Sequence, residues 1–191
     1  MSHMSNLEQA ARWLTPTAHM RLRVIGISDI TSGVARTVWE IGMDYALESP
    51  SRPITLAIAS DGGEVFEGIA LHNVLRDVKS ALTPGVPLVG VVTGNCFSMA
   101  SYILQACDYR YAAPTSFLMV HGISQRNFSF DEKDGERNMA LLKQLRGILS
   151  TGYAQRSGKP LEFWEDMLQT NTPNYFTAAE AFDLGLIDEI R

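Results

Sequence analysis

Cysteine is scarce in this sequence: Cys96 and Cys107 are the only two in 191 residues, and they form no C-x-x-C pair. That excludes a disulfide framework and a cysteine-rich zinc site, and reads both thiols as small buried residues. Long apolar runs are missing too. No stretch approaches the roughly 18 residues a membrane helix needs, and the N-terminus lacks the basic-then-apolar order of a secretory signal. A cytoplasmic protein with no membrane partner is the expectation. Basic clusters are equally absent: with 16 Lys+Arg against 21 Asp+Glu, the net charge is -5 and the pI about 5.3. Nothing in that balance tracks phosphates, so nucleic acid is not an expected partner. No G-x-x-x-x-G-K-[ST] segment occurs, so ATP is not bound through a P-loop and any energy source must lie in another protein. No cofactor or metal is implied.

What is present is an apolar content of 46%, enough for one well-packed domain spanning 1–191. Met1-Ser2-His3-Met4 resembles an expression-vector scar followed by a second start, so residues 1–20 read as scar plus N-terminal arm and His3 stays outside any mechanism.

From Arg23 onward, apolar runs and turn formers alternate. Arg23–Ile27 reads as a short buried strand. Thr31 or Ser32 is placed to cap the next helix, whose stripe is Val34, Val38, Ile41 and Tyr45. Ile54–Ile58 is a second strand that ends at Ser60-Asp61-Gly62-Gly63, before a helix marked by Phe66, Ile69, Val74 and Val78. A loop with Pro84, Gly85 and Pro87 leads to a third strand, Leu88–Thr93. Gly94 and a turn then lead to a helix from about Ser98 to Ala106. Tyr109–Ala112 and Phe117–Val120 are further strands, the second ending at His121. A long helix spans about Asp131 to Gln155, with Leu142, Leu145, Ile148 and Leu149 on one face. Thr177-Ala178-Ala179-Glu180 is a capping box opening a helix that Gly185 closes, ahead of a last strand at Leu186-Ile187. Such alternation implies an α/β fold with a largely parallel sheet.

A serine is a poor nucleophile unless a base lies within hydrogen-bond reach and donors face the developing oxyanion. Ser98 follows a strand and a glycine turn, at a helix start where free N–H groups favour negative charge. His121 ends a strand that can lie alongside. Gly62-Gly63 lets backbone approach a substrate closely, which makes the Gly63 amide one oxyanion donor and the Met99 amide, next to the nucleophile, the other. Each signal alone has a plainer reading: Ser98 as an N-cap, His121 as a core histidine, Gly62-Gly63 as an ordinary turn or phosphate cradle. His72, within a helix, reads as a surface or packing residue. Cys96 has no base placed beside it.

In order, Ser60-Asp61-Gly62-Gly63, Gly94-Asn95-Cys96-Phe97-Ser98-Met99-Ala100, Met119-Val120-His121, Phe176-Thr177-Ala178-Ala179-Glu180-Ala181 and Gly185-Leu186-Ile187-Asp188 resemble the proteolytic subunit of the Clp protease. The resemblance runs from about Arg23 to Ile190. It implies a crotonase/ClpP-like fold of repeated strand-turn-helix units, with the long helix as a handle joining two rings. It implies heptameric rings stacked as a tetradecamer, an AAA+ Clp ATPase partner and unfolded polypeptide substrates. Carried over by position, Ser98 is the nucleophile, His121 the base, and the Gly63 and Met99 amides the oxyanion hole. The family's usual aspartate, five residues before the position of Ala178, is here Pro173, followed by Asn174. Asn174 is therefore expected as the third member, its carbonyl oxygen accepting the imidazole Nδ1–H as in Cys-His-Asn enzymes. Two other readings stand beside the peptidase. One is a weak or inactive ring subunit assembling with an active paralogue. The other is a crotonase-like acyl-CoA enzyme, which Ala106-Cys107-Asp108-Tyr109-Arg110 also resembles.

Overall fold

β-Branched and aliphatic runs bounded by glycine and proline become strands here, and the amphipathic segments between them become helices that cover the sheet. The computed structural model describes residues 23–123 and 132–191. The N-terminal arm and Asp131 lie outside the described residues. The strands are β1 (Val24–Ile27), β2 (Ile54–Ser60), β3 (Leu88–Phe97), β4 (Tyr109–Ala112), β5 (Phe117–Val120), β6 (Asn174–Thr177) and β7 (Glu189–Ile190). The helices are α1 (Val34–Glu48), α2 (Val65–Ser80), α3 (Met99–Leu104), α4 (Glu132–Ser157), α5 (Leu161–Met167) and α6 (Ala178–Asp183). Sheet order is β1-β2-β3-β4-β7, with β5 pairing β3 and β6 pairing β5. Every pair is parallel except β5–β6. The expected α/β architecture is what the chain adopts.

The position of the site follows from the length of β3. Its first half pairs β4 from Val89 to Val92, and its second half pairs β5 from Asn95 to Phe97, so two strands share one edge of a single long one. The sequence reading ends this strand at Thr93 and makes Gly94–Phe97 a turn. In the structure the strand continues, because β5 supplies ladder partners to residues with little strand propensity of their own. The turn shrinks to Ser98, and the helix expected over Ser98–Ala106 is the single short α3.

Two other expectations are corrected. Neither Thr31 nor Ser32 caps α1. Its N-cap is Gly33 at φ 94°, and the free amide of Ala35 donates instead to Glu67 Oε1 of α2 at 2.7 Å. A carboxylate at a helix N-terminus serves both the orphan donors and the dipole. The last strand lies at Glu189–Ile190, paired with Tyr111 and Ala112. Leu186 and Ile187 are core residues instead, with Leu186 N–H closing back on Ala181 O at 2.8 Å. The Thr177–Glu180 capping box is present, and Gly185 follows α6 at φ 73°.

α4, about 39 Å long at 1.5 Å per residue, buries Leu142, Leu145, Leu149 and Tyr153, while Ile148, expected on the same face, is exposed. α5 closes the far side of Tyr153. Trp164 is fully buried, stacks on Tyr153 with ring centroids 4.8 Å apart, and donates Nε1–H to Ser157 Oγ at 2.8 Å. Truncating such a residue to alanine costs about 3–5 kcal/mol.

The Ala106–Arg110 stretch has structural partners. Asp108 accepts from the Leu88 amide and from Lys79 Nζ, each at 2.7 Å, and so pins the start of β3. Arg110, buried, is held by Gln105 and by both carboxylate oxygens of Asp188, at 3.0 Å from Nε and 2.6 Å from one terminal nitrogen. That fork ties the C-terminal segment to β4, and a buried guanidinium of this kind is strongly destabilising if its carboxylate is removed.

Candidate active site

Ser98 is the one described residue other than glycine with positive φ, at 54° with ψ -123°. An L-residue held there is strained by the order of 1–3 kcal/mol and persists only where its surroundings over-determine it. Those surroundings can be named. The Ser98 amide donates to Met119 O at 2.8 Å, and its carbonyl accepts from the Ser101 amide at 3.0 Å and from Ser101 Oγ at 2.7 Å. Ser101 Oγ also lies 3.2 Å from Met119 O and 2.7 Å from the hydroxyl of Tyr153 on α4. Burial keeps the Tyr153 hydroxyl protonated by pushing its pKa upward against the opposing Ser101 contact. The long helix is thereby joined by hydrogen bonds to the turn that carries Ser98.

The glycine turn presses on the same spot. A Cβ on Gly62, at φ 99°, would fall 2.7 Å from Phe97 O and 2.8 Å from Ser98 Cβ. A Cβ on Gly63 would meet Ile30 O at 2.0 Å, because Ile30 bonds to both neighbours of Gly63: its amide to Gly62 O at 3.0 Å and its carbonyl to Glu64 N at 2.8 Å. This bridge leaves the Gly63 amide unused. Met99 begins α3, so its amide is likewise one that the helix cannot satisfy. Among the described residues neither amide donates a hydrogen bond, and the segments that carry them meet at Ser98, since a Cβ on Gly62 would also fall 3.1 Å from Met99 N.

His121 follows β5. The β3–β5 register pairs Phe97 with Met119, so Ser98 lies across from Val120 with His121 one residue further along. His121 Nδ1 is 2.5 Å from the carbonyl of Gly122. A carbonyl only accepts, so in the neutral ring this contact puts the proton on Nδ1 and the lone pair on Nε2. Among the described residues no hydrogen bond joins Ser98 Oγ to His121, a bond that in many hydrolases tightens only when substrate is bound.

Among the described residues no hydrogen bond joins Asn174 to His121. β6 pairs Val120 with Asn174, and directly paired residues share a face of the sheet, which puts Asn174 on the face opposite His121. Its amide Nδ2 donates to Val120 O and to Thr172 O, each at 3.2 Å. Continuing the register by one residue brings Pro173 across from His121, and proline has no side-chain acceptor.

The cysteines stay out of the chemistry. Both are buried, and burial pushes the Cys107 thiol up to about 12 and the Cys96 thiol higher still, so neither is a thiolate at neutral pH. His72 stacks on Tyr102 with centroids 4.7 Å apart and is held below its ordinary range, chiefly by burial and then by Arg76. It is a packing residue away from Ser98. Among the described residues no group of His, Cys, Asp or Glu side chains is arranged to hold a metal, and no helix is long and apolar enough to cross a membrane.

Sequence reasoning missed Ser101 and Tyr153. A serine three residues after a helix-opening residue sits one turn on, within reach of its carbonyl, which is a local signal for Ser101. Tyr153 comes from far along the chain and carries no such signal. A strained serine pressed by a glycine turn, with a histidine just past the end of the neighbouring strand, fits a comparison with known protein families in which the Clp protease model matches residues 8–191, so this chain belongs to the Clp protease family.

Proposed function

We propose that this member of a peptidase family is a serine endopeptidase subunit that cleaves peptide bonds through an acyl-enzyme on Ser98. The observation that carries the reading is the backbone of Ser98, the one strained non-glycine position described, set where β3, β5 and the Gly62-Gly63 turn converge. His121 Nε2 takes the Ser98 Oγ proton as Oγ bonds to the substrate carbonyl carbon. The carbonyl oxygen becomes an oxyanion that receives the Gly63 and Met99 N–H groups. The imidazolium then gives its proton to the leaving amine and the C–N bond breaks. Water, deprotonated by His121, releases the acyl group and restores Ser98.

The family resemblance supports a heptameric ring, stacked as a tetradecamer and fed with unfolded chains by an AAA+ Clp ATPase. Exposed apolar side chains on the isolated chain, Leu47 at 73% and Phe66 at 61%, support assembly as well. The acyl-CoA alternative has less behind it, since Asp108 and Arg110, on which its resemblance rests, are taken up by Leu88, Lys79, Gln105 and Asp188.

Hydrolysis of a fluorogenic peptide tests the reading. Turnover by the wild type that vanishes in Ser98→Ala is the expected result. An assembled wild type without turnover would favour the inactive-subunit alternative. Light scattering tests assembly, and a monomer at every concentration and salt would count against the stacked rings.

A further inference from the structure

We infer that Asn171 is the positioning residue for His121, acting through the Gly122 carbonyl, which stands where a triad acid would. The inference rests on the serine-peptidase reading above.

Among the described residues, the Gly122 carbonyl is the one hydrogen-bond partner of His121 Nδ1, at 2.5 Å. This carbonyl is itself gripped. With the amide turned to satisfy its surroundings, Asn171 Nδ2 donates to Gly122 O at 3.1 Å and to Ile123 O at 2.8 Å. From the same segment, Thr170 O accepts from the Gly122 amide at 2.7 Å. Gly122 is buried, and a Cβ there would lie 2.5 Å from both Leu168 O and Thr170 O, so only glycine fits against the strap. Residues 168–171 therefore fix both polar groups of Gly122 and, through its carbonyl, the ring of His121.

No side chain competes for that place. Continued by one residue, the β5–β6 register brings Pro173 across from His121, and the Asn174 amide is engaged by Val120 O and Thr172 O. A peptide carbonyl sets the tautomer and the ring orientation as a carboxylate does, but it brings a partial charge to the imidazolium instead of a full one. The chain accordingly has an oriented base with weaker electrostatic support, and a carboxylate at position 173 improves it.

The test is steady-state hydrolysis of a fluorogenic peptide by the full-length assembled chain, with thermal melts to confirm folding. Asn171→Ala is expected to lower kcat roughly tenfold, the loss of one hydrogen bond acting in the transition state, with KM within about twofold. Asn171→Asp, of the same shape but with a carboxylate facing two carbonyl oxygens, is expected to lower kcat at least as far. Adding Pro173→Asp to Asn171→Ala restores kcat to the wild-type level or above. A rise in kcat for Asn171→Asp would overturn the inference by making Asn171 itself the Nδ1–H acceptor. So would unchanged kinetics, or a change confined to KM. Should Asn171→Ala fail to fold, Pro173→Asp alone decides: a rise in kcat supports the inference and no rise overturns it. A wild type whose Ser98 takes no fluorophosphonate overturns the serine-peptidase reading together with this one, whereas a labelled wild type with unresponsive Asn171 variants overturns this one alone.

Discussion

The two halves of the site are built differently. Ser98 is locked from four directions: by Met119 O, by Ser101, by the long helix through Tyr153, and by a glycine turn that leaves no room for a Cβ. His121 hangs from the end of a four-residue strand, and its ring is oriented by a carbonyl that an exposed strap holds in place. Ser98 is over-determined and His121 is not. A strained serine needs a rigid frame to persist, whereas an imidazole placed by backbone and one exposed amide responds to whatever packs on residues 168–175. A neighbouring subunit or partner that orders this strap would raise activity without moving Ser98.

The sharpest way to break the rigid half is at Gly63. Gly63→Ala places a Cβ 2.0 Å from Ile30 O in a left-handed conformation, so the fold should lose on the order of 2–4 kcal/mol, read as a drop in the urea midpoint, and activity should fall with it. Tyr153→Phe is a gentler probe of the same half. It removes the hydroxyl partner of Ser101 and should cost about 1 kcal/mol, with a several-fold lower kcat if the link from the long helix matters for the Ser98 turn.

The adjustable half is probed next. Asn174→Asp should leave peptide hydrolysis near the wild-type level, and Asn174→Ala should cost under about 1 kcal/mol in a melt, because its amide bonds at a partly exposed strand edge and faces away from His121. A clear gain for Asn174→Asp would restore Asn174 as the third member and remove the contrast drawn here.

The smallest effect concerns neither half. Burial, and then Arg76, hold the His72 pKa below its ordinary value of 6.5, so the neutral ring is favoured in the folded chain while the unfolded chain binds the proton more readily. Stability is therefore present above the ordinary imidazole range and is lost as pH falls through it. Melting temperature should decline between about pH 7.5 and about pH 5.5, and His72→Phe, which keeps a ring on Tyr102 without a titrating group, should flatten that decline.

Much of this was legible in the sequence, for reasons that differ by element. Apolar runs located β1, β2, β4 and β5, and the stripe of Leu142, Leu145 and Leu149 located the long helix, because each is a local pattern. The extension of β3 through Phe97 was hidden, since Gly94-Asn95-Cys96-Phe97 forms a strand only where β5 supplies partners. The cap of α1 was hidden for the same reason: Glu67 lies 32 residues from Ala35. The third-member expectation passed over one local feature. Asn174–Thr177 was not seen as a strand, and the two-residue period of a strand would have set Asn174 and His121 on opposite faces. Four residues of mixed polarity after a proline carry too weak a pattern to reveal that pairing.

The central claim is that Ser98 is a nucleophile activated by His121, and the most direct measurement is the rate and position of fluorophosphonate labelling. The account predicts modification at Ser98 in the wild type, none in Ser98→Ala, and a rate lower by about 10² or more in His121→Ala. Labelling at Cys96 or at any other serine, or a His121→Ala variant labelled at Ser98 as fast as the wild type, would contradict it.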